Sequence, residues 1–194
     1  MNNYYFCGMK KSHQYIINTT QEWVEKFVIG LNLCPFARHP FRTNKIRYIV
    51  FDGDNAEKLT EHLVMEINRL LETSPSVLET TLIILPNMLN DFDEYLDYLE
   101  VSEFVLTELD LEESVQVASF HPDYQFDGTA PTDVENFTNR SPFPMLHLLR
   151  EDSIDRAIEA FPEVGDIPGK NIETMNNLGF LHVKRMFDAL TGEN

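Results

Sequence analysis

The chain has 194 residues, 43% of them apolar, enough for one domain with its own hydrophobic core and too many for a disordered chain. Its 32 acidic residues against 15 basic give a formal net charge of −17, which repels phosphate backbones, and no Lys/Arg cluster offers a local basic patch. Two cysteines are too few for a disulfide framework and no apolar run approaches the roughly 18 residues of a membrane span, so a cytoplasmic protein with no nucleic-acid and no membrane partner is expected.

Residues 1–18 read as a flexible lead-in, with their basic residues after a short apolar patch, the reverse of a secretory signal. Residues 19–194 then read as one α/β domain. Its first helix is predicted from Thr19, which forms a capping box with Glu22, and carries a stripe of Trp23, Phe27 and Leu31. Pro35 stops it by Cys34.

Ile46 to Phe51 is predicted as a strand, and Asp52-Gly53-Asp54-Asn55 as a turn and helix cap. Leu59, Leu63, Ile67 and Leu70 make an amphipathic helix of residues 57–71. A second strand covers Thr80 to Leu85, a second amphipathic helix runs from Leu89 to about Leu109, and a third strand covers Val115 to Phe120. This order predicts an α/β fold with a sheet of three or more strands, largely parallel and flanked by helices, with α+β as the alternative. Beyond the third strand, Ser141 and Pro142 are expected to open a helix that continues through Glu151. A turn over residues 162–169 and a last helix from Asn171 to Leu190, bent at Gly179, complete the chain.

Residues with chemical potential cluster after the third strand. Strands running in parallel would deliver Asp52, Pro86-Asn87 and His121 to one edge, where ligands of open α/β sheets bind. His121 is a candidate general base or metal ligand, or a structural histidine bonded to a carbonyl. His147 and Glu151, four positions apart on a helix, would share a face and could hold a divalent metal with His121. Cys34 is an inert buried thiol unless a histidine or a positive dipole lowers its pKa. Asn139 and Arg140 before a helix start, with Arg150 and Arg38 nearby, could receive an anion, with Tyr124 lining the same loop; the alternative is that the arginines pin the loop. There is no HExxH, CxxC, GxGxxG, P-loop or GxSxG.

LNLCPFA at Leu31 to Ala37, SFHPDYQFDGT at Ser119 to Thr129 and ENFTNRSPFPMLHLLRE at Glu135 to Glu151 resemble the domain of unknown function 1415 family of bacterial proteins. The likeness runs from Thr19 to about Leu178. It implies a compact bacterial cytosolic protein whose hallmark residues match Cys34, His121, Tyr124, Asn139, Arg140, His147, Arg150 and Glu151. It implies no activity.

Three functions are therefore expected to compete. The first is a small enzyme acting on an anionic small molecule, with Cys34, His121 and His147 catalytic and Arg38, Tyr124, Asn139, Arg140 and Arg150 binding substrate at the carboxyl edge of the sheet. The second is a metal-binding protein using His121, His147 and Glu151 around a divalent metal. The third is a non-catalytic structural or interaction module. Neither substrate nor oligomeric state follows from the residues.

Overall fold

The computed structural model of the chain describes residues 11–160 and 166–192. Four strands, β1 (Ile46–Val50), β2 (Thr80–Ile84), β3 (Val115–Phe120) and β4 (Met145–Arg150), form a sheet in the order β1-β2-β4-β3. β1 and β2 pair in parallel, while β4 pairs antiparallel with β2 on one side and β3 on the other. β1, β2 and β3 therefore run the same way, as their long crossovers require, but β4 is threaded between β2 and β3 in the opposite sense.

That strand corrects two expectations. Residues 145–150 are not helical, and the sheet is mixed, with one parallel pairing against two antiparallel ones, so the α+β alternative describes it better than a largely parallel sheet. The physical reason is local. Pro142 and Pro144 push Ser141 and Phe143 toward extended backbone, and the apolar run that follows can be buried on both sides of a central strand. Ser141 caps no helix; its hydroxyl donates to the Phe143 carbonyl at 2.6 Å.

Helices α1 (His13–Trp23), α2 (Arg38–Arg42), α3 (Ala56–Glu72), α4 (Phe92–Glu108), α5 (Glu151–Ala160), α6 (Ile167–Leu178) and α7 (Phe180–Thr191) surround the sheet. A six-residue π-helical segment, Val24–Ile29, extends α1. α1 starts six residues before the expected Thr19. Ser12 caps it, accepting from the Tyr15 amide at 3.2 Å, and Thr19 is buried in its middle. Residues 1–10 of the expected lead-in lie outside the described residues, as do 161–165 of the expected turn at 162–169. Asn55 and Asp91 cap α3 and α4 through their side-chain oxygens. At Gly179 (φ 75°) the last helix is two, α6 and α7, because a backbone there in the positive-φ region ends one helix and starts the next. Among the described residues no helix is long and apolar enough to cross a membrane.

Side chains alternate across the sheet. Ile83, Leu85, Leu146, Leu148 and Val115 pack against α3 and α4, with Leu59, Leu63, Ile67, Tyr95 and Tyr98 facing them. Val50, Leu82, Ile84 and Met145 face the other way, onto α1, the π segment, α6 and α7 through Trp23, Phe27, Met175, Val183 and Phe187.

Candidate functional site

On the α1 side of the sheet, packing leaves a cavity of about 280 Å³. Its floor is Thr80 and Leu82 of β2, Ala118 and Phe120 of β3, and His147 and Leu149 of β4. Trp23, Val24 and Val28 from α1 and the π segment, the Cys34–Pro40 turn, and Ile154, Ala157 and Ile158 of α5 form its sides. The walls are almost wholly apolar, with a few polar side chains among them, which is the usual make-up of small-molecule sites. A π segment in the wall fits the same pattern, since such segments collect at functional sites. The cavity lies on the face of the sheet, away from the carboxyl edge where a site was expected.

Three expected residues, Cys34, His147 and Arg150, line this cavity. His147 Nε2 is 2.7 Å from Thr80 Oγ1, and the Thr80 hydroxyl donates to the Leu148 carbonyl at 2.6 Å. Burial in apolar surroundings lowers the imidazole pKa to about 4, so the ring is neutral near pH 7. Burial raises the pKa of the Cys34 thiol, against a smaller downward pull from the Phe36 and Ala37 amides. The net shift is upward, so Cys34 is a protonated thiol at neutral pH.

His121 lies across the sheet. The strand alternation that turns Phe120 into the cavity turns His121 away, against Phe92 and Tyr95 with ring centroids 5.2 and 5.1 Å apart. Both its nitrogens are used: Nε2 meets the Leu89 carbonyl at 3.1 Å, and Nδ1 accepts from the Asp123 amide at 3.0 Å. Burial lowers its pKa as well. It is fully buried.

The arginines pin backbone. Arg140 donates to the Tyr124 and Pro131 carbonyls at 3.1 and 2.9 Å and stacks on Phe137. Arg38 reaches the Ile29 carbonyl at 3.4 Å. Arg150 borders the cavity, but its guanidinium donates to the carbonyls of Leu70 and Thr73 (2.6 Å) at the far end of α3 and of Leu78 (3.1 Å) ahead of β2. Tyr124 packs on Phe92 and Phe126, and Asn139 donates to the Ser119 carbonyl at 3.3 Å.

His147 and Glu151 do not share a helix face, because one sits inside β4 and the other begins α5. His121 and His147 occupy opposite faces of the sheet. Among the described residues no group of three or more His, Cys, Asp or Glu side chains could hold a metal ion. At the carboxyl edge, a hollow of about 340 Å³ is walled by Pro86, Pro122, Pro142 and Pro144, and the Asp52 carboxylate there is engaged by His13 and Asn87.

Two further residues matter here. Thr80 fixes His147, and its only signal was a hydroxyl at the head of an apolar strand. Asn136, fully buried, organises the long loop: its carbonyl oxygen accepts from the Phe126 amide (3.0 Å) and the Thr129 hydroxyl (2.9 Å), and its amide donates to the Ala130 carbonyl (2.8 Å).

Residues 15–185 match the profile of a family described as "Protein of unknown function (DUF1415)". Uncharacterized protein MJ0808 of Methanocaldococcus jannaschii is 29% identical over 135 residues, 68% of this chain. The aligned stretch spans 37% of that relative's length. No solved structure matches.

Proposed function

The chain belongs to the DUF1415 family of proteins of unknown function, and from that premise we propose that it binds a small, mainly apolar molecule in the cavity between the sheet and α5. What supports this is a largely apolar hollow, partly open to solvent, with few polar groups on its wall, His147 and Cys34 among them. The guanidinium groups that would carry an anionic substrate donate to main-chain carbonyls, which favours an uncharged occupant. Apolar cavities of this kind take up small hydrocarbons when the shape allows.

Cys34 is a reporter built into the wall. In protein carrying Cys7→Ser, alkylation of Cys34 by iodoacetamide should slow several-fold as p-xylene is added, and the protection should saturate. Ala118→Leu, which adds volume inside the cavity, should abolish the protection. A labelling rate indifferent to p-xylene at every concentration would sink the proposal.

A further inference from the structure

We infer that the molecule held in this cavity carries a hydrogen-bond donor, a hydroxyl or an N–H, which it gives to Nδ1 of His147. The inference rests on the binding reading above and narrows it to a class of ligand.

The argument is a proton count. A threonine hydroxyl has one proton. Thr80 Oγ1 lies 2.6 Å from the Leu148 carbonyl oxygen, a distance that two oxygens in this setting keep only with a proton between them, so that proton belongs to the Leu148 bond. The same hydroxyl oxygen is 2.7 Å from His147 Nε2. With its proton committed, the oxygen can only accept there, so Nε2 carries the hydrogen. A neutral imidazole with its proton on Nε2 has a bare lone pair on Nδ1.

Nδ1 has no hydrogen-bond partner among the described residues, and the ring it belongs to lines the cavity. The neutral state follows from the same apolar surroundings that lower the ring's pKa. Leu82, Ala118, Phe120 and Leu149 lie around the ring on the cavity floor and offer no side-chain donor. The acceptor is therefore answered best by a donor on the ligand itself. A ketone, an ether or a carboxylate would place one lone pair against another.

At His121, by contrast, a backbone amide occupies Nδ1 and a carbonyl meets Nε2. At His147 the corresponding amide is absent, and the empty direction belongs to a ring in the cavity wall.

The test compares three probes of similar size by calorimetry on the full chain: p-cresol, with a donor; p-xylene, with no polar group; and p-tolualdehyde, with an acceptor only. p-Cresol should bind about tenfold more tightly than p-xylene, and p-tolualdehyde no better than p-xylene. Equal affinities for p-cresol and p-xylene overturn the donor requirement and leave the cavity reading intact. Failure of all three to bind overturns the cavity reading, and this inference with it. Nitrogen-15 NMR of the ligand-free protein gives a second readout that needs no variant to fold: the His147 ring should be protonated on Nε2, and protonation on Nδ1 instead overturns the argument.

Discussion

The two faces of the sheet differ in what surrounds their polar groups. On the α3/α4 face the charged groups and the Tyr95 hydroxyl are answered from within the chain, while Thr81 Oγ1 and His62 Nε2 are sealed in the packing without a partner among the described residues. Arg150 closes the end of α3, the fully buried Glu66 takes a two-point bond from Arg47 (2.6 and 3.0 Å), and the Tyr95 hydroxyl bridges the Phe120 amide and the Met145 carbonyl at 2.9 and 2.7 Å. On the α1 face, next to a comparable apolar core, a thiol and a half-satisfied imidazole line an open volume. An unanswered polar group that borders open volume, unlike one sealed in a packed core, is a candidate for a ligand.

The largest expected effect tests the spent face. Arg150→Met keeps much of the side chain's bulk but takes the donor from three carbonyls, two of them in the last turn of α3 and just past it. The guanidinium's own Nε is buried without a partner among the described residues, so its removal returns a little of that loss. The variant should lose about 4 kcal/mol of unfolding free energy in urea. A loss below about 1 kcal/mol would show that Arg150 is not structural, and would erase the contrast between the faces.

The next effect is on pH. His147 has its pKa lowered from 6.5 to about 4 by burial, so the folded state disfavours the charged ring. On acidification the unfolded chain takes up a proton near the ordinary value while the folded chain does not. Stability from this group is therefore complete above about pH 6.5 and is lost as pH falls toward 4, by on the order of 3 kcal/mol at most. His121 and His62, on the spent face, have their pKa values lowered by burial too and contribute to the same window. His147→Phe should flatten the slope of stability against pH in that range without removing it. An unchanged slope in that variant would mean that the ring is not held neutral by its site.

How much of this was legible in the residues depends on periodicity. α3, α4 and the first three strands carry clear patterns and caps, with Asn55 and Asp91 holding the helix starts. β4 does not. MLHLLR is rich in residues that favour helices, and a six-residue apolar run has no period of its own; only Pro142 and Pro144 pointed toward extended chain. Reading that run as a helix put His147 beside Glu151, when strand alternation puts it beside Leu82 and Ala118. The same alternation carries His121 away from Cys34, one residue after Phe120. Which residues share a hollow was thus decided by one strand whose neighbours, β2 and β3, lie far off in the chain.

The smallest effect is the sharpest comparison of the two faces, because it asks each for room. Ser102 is fully buried on α4, where its hydroxyl donates to the Leu99 carbonyl at 2.7 Å, and Ser102→Leu forces a larger side chain into the interior. That should cost about 2 kcal/mol. Ala118→Leu adds more than one methylene as well, but into the cavity. There the added carbons meet apolar walls in place of open volume, gaining contacts and displacing nothing that is packed. Its unfolding free energy should stay within about 1 kcal/mol of the parent, in either direction. The pair of urea melts reads the difference directly. If Ala118→Leu costs as much as Ser102→Leu, the cavity closes up in solution and both faces are equally full; if it costs little, the variant stays folded while its cavity is blocked, and any loss of p-xylene protection at Cys34 can be charged to the cavity alone.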